Sequence, residues 1–260
     1  MTRHGSDTPP GYVRIHEEDA DIVVLESMAS PVRQALVGGS LYEYAKHHPE
    51  ARTYRGRGPV YGVPLPNGGV RVVIRRSRHG GFFRAITGER FLGSTRAPRE
   101  LATAARLTRE GIPTPEVIAY VTYRAGGPFR RADVVTRELA GASDLGALLL
   151  SGELVATAKE AVLQTVATLL IQLSQSGARH PDLNVKNILL VPIENEWPVA
   201  WLLDVDRVWF DERRKRRVAE ANVRRLTRSL RKWRQAHGIP VDESDIGLLV
   251  SRVHEGWLER

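Results

Sequence analysis

The 260-residue chain contains no cysteine. That excludes disulfides, thiolate nucleophiles and cysteine-ligated zinc sites, and it is compatible with a reducing cytoplasm. No apolar run is long enough to cross a bilayer. The polar N-terminus lacks the basic-then-apolar shape of a signal peptide. Internal repeats and long low-complexity tracts are also missing. What is present is an ordinary soluble composition, 42% hydrophobic, in a length that suits one large domain or a two-lobed pair. The formal net charge is +8, and most of the cations are arginine. Guanidinium forks match phosphate and carboxylate oxygens in pairs. A basic surface of this kind fits nucleic acid, acidic lipid or a phosphorylated substrate. A GC-rich genome gives the same arginine bias, so composition does not choose among them.

Residues 1–20 are polar with paired prolines and are expected to form a flexible tail. From Tyr54 to Arg76 the chain reads as strand, turn, strand. Gly56, Gly58 and Gly62 lie in or near the first strand, and Asn67-Gly68-Gly69 is a turn signal. Val70–Ile74 is β-branched and predicts the second strand. Residues 97–110 predict a helix, with Pro98 in its first turn, an apolar stripe through Leu101, Ala104, Ala105 and Leu107, and Gly111 as its stop. Short strands are expected around Val117–Tyr123 and Ala132–Thr136, so the first half reads as a small sheet with one helix. Glu138–Gly141 is a connector, and Ser143 is placed to cap a short helix. Val162, Leu163, Val166, Leu169, Leu170 and Leu173 recur at helical spacing up to Gly177. Two apolar strands, Ile188–Val191 and Trp201–Leu203, precede a basic helical C-terminal third.

The stretch His180-Pro181-Asp182-Leu183-Asn184-Val185-Lys186-Asn187-Ile188-Leu189-Leu190 carries the chemistry. Asp182 and Asn187 sit on a loop between a long helix and a strand. A second carboxylate, Asp204, stands at the end of the next strand. Phosphoryl transfer needs a carboxylate to position and deprotonate a hydroxyl, and oxygen ligands for the hard cation magnesium. A lone Asp-x-x-x-x-Asn is also an ordinary loop composition, since both residues favour turns. The added helix, strands and second aspartate make the phosphotransfer reading the stronger one.

This stretch resembles the catalytic loop of protein-kinase-like enzymes, and Asp204-Val205-Asp206 is similar to their metal-binding Asp-Phe-Gly. More narrowly, His-x-Asp-Leu-Asn-x-x-Asn-Ile-Leu followed by Asp-x-Asp-Arg resembles the lipopolysaccharide-core kinases, above all the 3-deoxy-D-manno-octulosonic acid (Kdo) kinase branch. Asp206 stands where protein kinases have glycine, a departure that this branch shares. The resemblance implies that Asp182 is the catalytic base and that Asn187 and Asp204 hold Mg2+. It also implies that Gly56 and Gly58 belong to a phosphate-covering hairpin. Arg75 takes the place of the phosphate-binding lysine, and Glu100 pairs with it. Taken alone, the glycines read more readily as hairpin geometry, and Glu100 reads equally as a solvated helix residue. Arg75 to Gly81 looks like the branch's Arg-rich, Gly-Gly-terminated segment. Gly111-Ile112-Pro113-Thr114-Pro115 resembles a structural turn of the family, and His180 is expected to brace the catalytic loop.

The implied fold is α+β and bilobal, protein-kinase-like, with an antiparallel N-lobe sheet over 21–138 and a mainly helical C-lobe over 139–260. The implied activity is ATP-dependent phosphorylation of a sugar hydroxyl of the lipopolysaccharide inner core, with Kdo on lipid A as acceptor and ATP and magnesium as cofactors. A cytoplasmic protein, peripheral at the inner membrane, follows from that substrate. Arg213–Arg234 would meet anionic headgroups or form the exposed face of an amphipathic helix, and nucleic acid is not the expected partner. Two alternatives stay open: a heptose, small-molecule or protein kinase of the same fold, and a kinase-shaped binding module without turnover.

Overall fold

Alternating burial in the first half of the chain builds one antiparallel sheet. Its strands are β1 (Tyr12–His16), β2 (Ala20–Leu25), β3 (Arg52–Arg55), β4 (Pro59–Pro64), β5 (Arg71–Arg76), β6 (Phe91–Leu92), β7 (Val117–Arg124) and β8 (Phe129–Arg137). They pair in the order β1-β2-β7-β8-β5-β4-β3, with β6 also on β8. The structure is a computed structural model and describes residues 8–55, 58–67, 69–77, 91–93, 95–152, 156–194 and 196–258. In β5 the period of two sends Val72 and Ile74 into the core. Arg71, Val73 and Arg75 fall on the opposite face. Two short helices, α1 (Ala29–Ala35) and α2 (Leu41–His47), contribute Val32, Ala35, Leu41 and Ala45 to the same core as Ile22, Val24, Val72, Ile74 and Ile118. Ser40 caps α2 by accepting from Glu43 N at 3.3 Å.

A third helix, α3 (Ala97–Arg109), carries the expected stripe, with Leu101, Ala104 and Leu107 buried. The chain divides into two compact units, Met1–Ala105 with Glu116–Glu138, and Arg106–Pro115 with Leu139–Arg260. The second unit contains α4 (Leu145–Leu150), α5 (Ala156–Gln175), α6 (Lys215–His237) and α7 (Glu243–Leu258). Its strands are β9 (Ser143–Asp144), β10 (Ala178–Arg179), β11 (Ile188–Ile193), β12 (Glu196–Leu202) and β13 (Trp209–Phe210). All six stripe residues of α5, from Val162 to Leu173, are buried. Gly177 ends that region with φ +69°, and a Cβ there would lie 2.8 Å from Asp211 O, so only glycine fits without a shift. No described helix is long and apolar enough to cross a membrane.

Several local expectations are corrected. Residues 12–16 are not part of a loose tail, because β1 pairs with β2 across five positions. The first unit has three described helices instead of one. Tyr54–Arg76 holds three strands, since the chain turns between β3 and β4. Asp144, not Ser143, caps α4, accepting from Ala147 N at 2.8 Å. Residues 106–115 cluster with the second unit. There Arg106 pairs with Glu212 at 2.6 Å and lies 3.5 Å from the Phe210 ring centroid.

Candidate active site

The loop after β10 alternates apolar and polar side chains. Leu183, Val185 and Ile188 are fully buried and pin it to the core. The polar residues beside them, Asp182, Asn184 and Asn187, are only partly buried and are thereby turned to the polar side. Asn184 Nδ2 and Asn187 Nδ2 both donate to Asp182 O at 2.8 Å. The Asp182 carbonyl thus has both lone pairs occupied, and its backbone is held independently of its carboxylate.

His180 ties this loop to the end of β12. Its Nδ1 accepts from Asp182 N at 3.2 Å, so Nε2 carries the proton and donates to Leu203 O at 2.9 Å. The ring is 1% exposed, and burial pushes its pKa below the usual histidine value, which keeps it neutral. It braces the loop through the backbone, the role expected of it. A further link joins Leu203 N to Asn187 O at 2.9 Å. Residues 182, 187 and 203 are therefore drawn into one hydrogen-bonded cluster, with Asp204 next to it in the chain.

Asp204 itself has left-handed backbone, φ 58° and ψ 46°, rare outside glycine and better tolerated by aspartate than by most residues. Such conformations persist where the surroundings over-determine them. Those surroundings include the Gly111–Pro115 turn: Pro113 O accepts from Leu202 N at 2.8 Å, and Thr114 Oγ1 donates to Leu202 O at 2.9 Å.

One face of α6 follows the loop position by position. Asn222 Oδ1 accepts from His180 N at 3.0 Å, and its Nδ2 donates to Ala178 O at 2.9 Å. Arg225 Nη2 donates to Asp182 Oδ1 at 2.6 Å. Ser229 Oγ accepts from Val185 N at 3.3 Å. Lys186 Nζ lies 5.5 Å from the Trp233 ring centroid. That ring sits so close to α4 that a Cβ on Gly146 would lie 2.6 Å from it. The sequence alone places Asn222, Arg225 and Ser229 within the basic segment Arg213–Arg234, read as headgroup-facing or as the exposed face of an amphipathic helix, and assigns none of the three to the loop. The spacing 222, 225/226, 229, 233 is a helix face and was visible. The partners, more than forty residues earlier, were not.

In the first unit, Arg75 Nη2 donates to Glu100 Oε1, and Glu100 is buried while Arg75 keeps partial exposure. The pair expected between strand and helix is formed. Glu138 caps the edge of the same sheet, accepting from Arg71 Nε and from the Tyr54 hydroxyl. Gly58 lies between β3 and β4. Gly56 and residues 78–81 of the Arg-rich segment lie outside the described residues.

The donor chemistry suits magnesium. Asn187 spends its amide nitrogen on Asp182 O, which leaves its side-chain oxygen as the donor, and Asp204 adds a carboxylate. Among the described residues no group of three or more His, Cys, Asp or Glu gathers as a metal cage. One carboxylate and one amide match the few protein ligands that magnesium takes when phosphates and water complete its shell.

Comparison with known proteins agrees. A 3-deoxy-D-manno-octulosonic acid kinase of Haemophilus influenzae (strain PittGG) is 31% identical over 207 residues, covering 77% of this chain and 83% of that protein. The enzyme of the same name from Xylella fastidiosa (strain M12) is 31% identical over 214 residues and 78% of each chain. Among solved structures, WaaP in complex with acyl carrier protein is similar with a TM-score of 0.56 over 92% of this chain and 89% of that one. At 18% identity this likeness bears on the fold alone, and it agrees with a kinase-like α+β class. Residues 52–248 match the family described as lipopolysaccharide kinase (Kdo/WaaP), and the chain belongs to that family of phosphotransferases acting on an alcohol group.

Proposed function

We propose that the protein transfers the γ-phosphoryl group of ATP to a hydroxyl of 3-deoxy-D-manno-octulosonic acid carried on a lipid A precursor. The acceptor follows the names of the most similar relatives. The observation that carries the catalytic reading is the cluster of Asp182, Asn187 and Leu203-Asp204, closed by His180 and two direct hydrogen bonds.

In this reading Asp182 orients the acceptor hydroxyl and takes its proton. Asn187 and Asp204 hold magnesium, and Arg75, fixed by Glu100, binds phosphate oxygens. Gly56 and Gly58 allow backbone to approach the phosphates closely. Bound magnesium supplies charge neutralisation on the triphosphate. The protein's own share is positioning, which the doubly bonded Asp182 carbonyl and the neutral His180 provide before substrate arrives. The domain assignment proposed with it is a nucleotide-covering sheet unit and a catalytic helical unit joined near Glu138.

The test is incubation of a radiolabelled lipid A precursor bearing the acid sugar with ATP, resolved by thin-layer chromatography. Wild type should yield a phosphorylated lipid. Asp182→Ala should lose about 10²–10⁴-fold in kcat, the usual share of a general base. Label found only on soluble sugars or protein would redirect the acceptor assignment. Equal and negligible turnover by both proteins would favour a binding module.

Peripheral contact with an anionic membrane is part of the proposal, but the patch is narrower than Arg213–Arg234. Arg231 and Arg234 share Glu243, and Arg225 pairs with Asp182. Arg217, Arg224 and Arg228 are exposed and fall on one stripe of α6. Replacing these three by alanine should weaken sedimentation with anionic vesicles, most at low salt. Unchanged sedimentation would remove the patch from the proposal.

A further inference from the structure

Arg225 has no part in the reaction as described above, yet it touches the residue on which that reaction turns. Its Nη2 lies 2.6 Å from Asp182 Oδ1. A guanidinium at that oxygen competes for the lone pairs that an acceptor hydroxyl must reach. The loop does not require a charge there for support, because Asn222 and Ser229, on the same helix face, hold its backbone with neutral groups. Nor is the contact sealed from solvent: 43% of the Arg225 side chain and 23% of that of Asp182 are exposed. A pair in that position is weakly held and open to exchange.

We infer that Arg225 reads a carboxylate on the acceptor and, in doing so, releases Asp182. This rests on the reading that the acceptor is an ulosonic acid, whose name states the acid group. Without acceptor, the guanidinium rests on Asp182. An acceptor carboxylate offers the same planar fork a bidentate partner. Moving to it orients the sugar beside the loop and, in one exchange, withdraws the guanidinium from Asp182 Oδ1, the oxygen that takes the hydroxyl. A neutral sugar provides no such partner, so Arg225 stays on Asp182 and the neutral sugar is disfavoured. Selectivity then comes from the penalty on the wrong acceptor as well as from attraction to the right one. Position explains why one residue can do both. Asn222 and Ser229 point at the loop, Arg224 and Arg228 at solvent, and Arg225 stands at the border between the two faces.

The experiment compares wild type, Arg225→Gln and Arg225→Lys on two acceptors, the lipid-linked acid sugar and its carboxamide, by acceptor-dependent ADP release. Wild type should prefer the acid in kcat/KM by about ten- to a hundredfold, the scale of a charged hydrogen bond. Arg225→Gln should raise the KM for the acid by a similar factor and treat both acceptors alike, while the KM for ATP stays within about twofold. Arg225→Lys should recover part of the preference, since it keeps the charge without the fork. If Arg225→Gln retains the wild-type preference, Arg225 is only a brace and the inference is overturned. Loss of ATP affinity together with acceptor affinity, in both variants, would also overturn it. Failure of wild type to phosphorylate the acid sugar at all shows before any variant is compared; it marks the acceptor reading itself as wrong and takes this inference with it.

Discussion

The two units hold their functional groups by different means. In the sheet unit the candidate cation is held by charge, Arg75 by Glu100, as are its neighbours on β5, Arg71 by Glu138 and Arg76 by Glu43. In the helical unit the candidate catalytic loop is held mostly by neutral polar groups, His180, Asn184, Asn222 and Ser229, bonded to backbone. The difference follows from what each must offer. A phosphate-binding cation has to keep its charge and stay partly exposed, so its partner is a carboxylate that orients it. A catalytic loop has to place a carboxylate without consuming it, so its supports act on the backbone and leave the side chain for chemistry. A charged brace on that loop would alter the group it was meant to position. Arg225, on Asp182 Oδ1, is the exception, and that contact is what the proposal of a releasable partner starts from.

The sharpest way to break the contrast is Asn222→Leu. It leaves the buried His180 N–H and Ala178 C=O without partners, at about 1–3 kcal/mol each. Thermal unfolding should fall by roughly 10 °C, and acceptor phosphorylation should fall with it even where the protein remains folded. An unchanged melting temperature would show that the neutral bracing of the helical unit is dispensable.

A smaller effect is expected from Glu100→Gln, which keeps an acceptor for Arg75 and removes only the charge. The KM for ATP should rise about tenfold, a cost near that of one charged hydrogen bond, with a smaller loss of thermal stability than in Asn222→Leu. Nucleotide titration and calorimetry on the same sample separate the two quantities. A variant that loses stability but not ATP affinity would make the pair a purely structural one.

The smallest effect, and the finest test, is in pH. Burial lowers the pKa of His180 below 6.5, so its contribution is complete above that value and is lost as the pH falls through the lowered one. Burial raises the pKa of Asp133, a fully buried residue on β8 that accepts from Tyr42 N at 3.0 Å. Its ionised form is therefore penalised at neutral pH, and that penalty disappears as the pH falls through the raised value. Melting curves should show His180→Gln flattening the acid side of the wild-type profile. Asp133→Asn should gain most over wild type near about pH 7 and less near about pH 4. Parallel curves for all three proteins would mean that neither group is linked to folding.

Legibility differed between the units for the same physical reason. In α5 and the catalytic loop, every buried position repeats at a helical or alternating period, and local pattern is enough to find them. The first fifty residues have weaker signals. β1 carries exposed charged residues and is a strand because β2 pairs with it, and α1 and α2 are seven-residue helices too short to stand without the sheet they cover. Ser143 and Asp144 were both competent caps by type, and only the backbone at Asp144 decided between them.

Residue order alone determined the candidates for phosphotransfer and their succession, Arg75, Glu100, Asp182, Asn187 and Asp204, because their types and spacing are local properties. Folding decided what stands behind them. Asn222 reaches His180 and Arg225 reaches Asp182 across 42 and 43 residues, through a helix whose own sequence reads only as basic and amphipathic. No periodicity records such a pairing, since it arises when the apolar face of α6 packs and carries its neighbouring polar positions onto the loop.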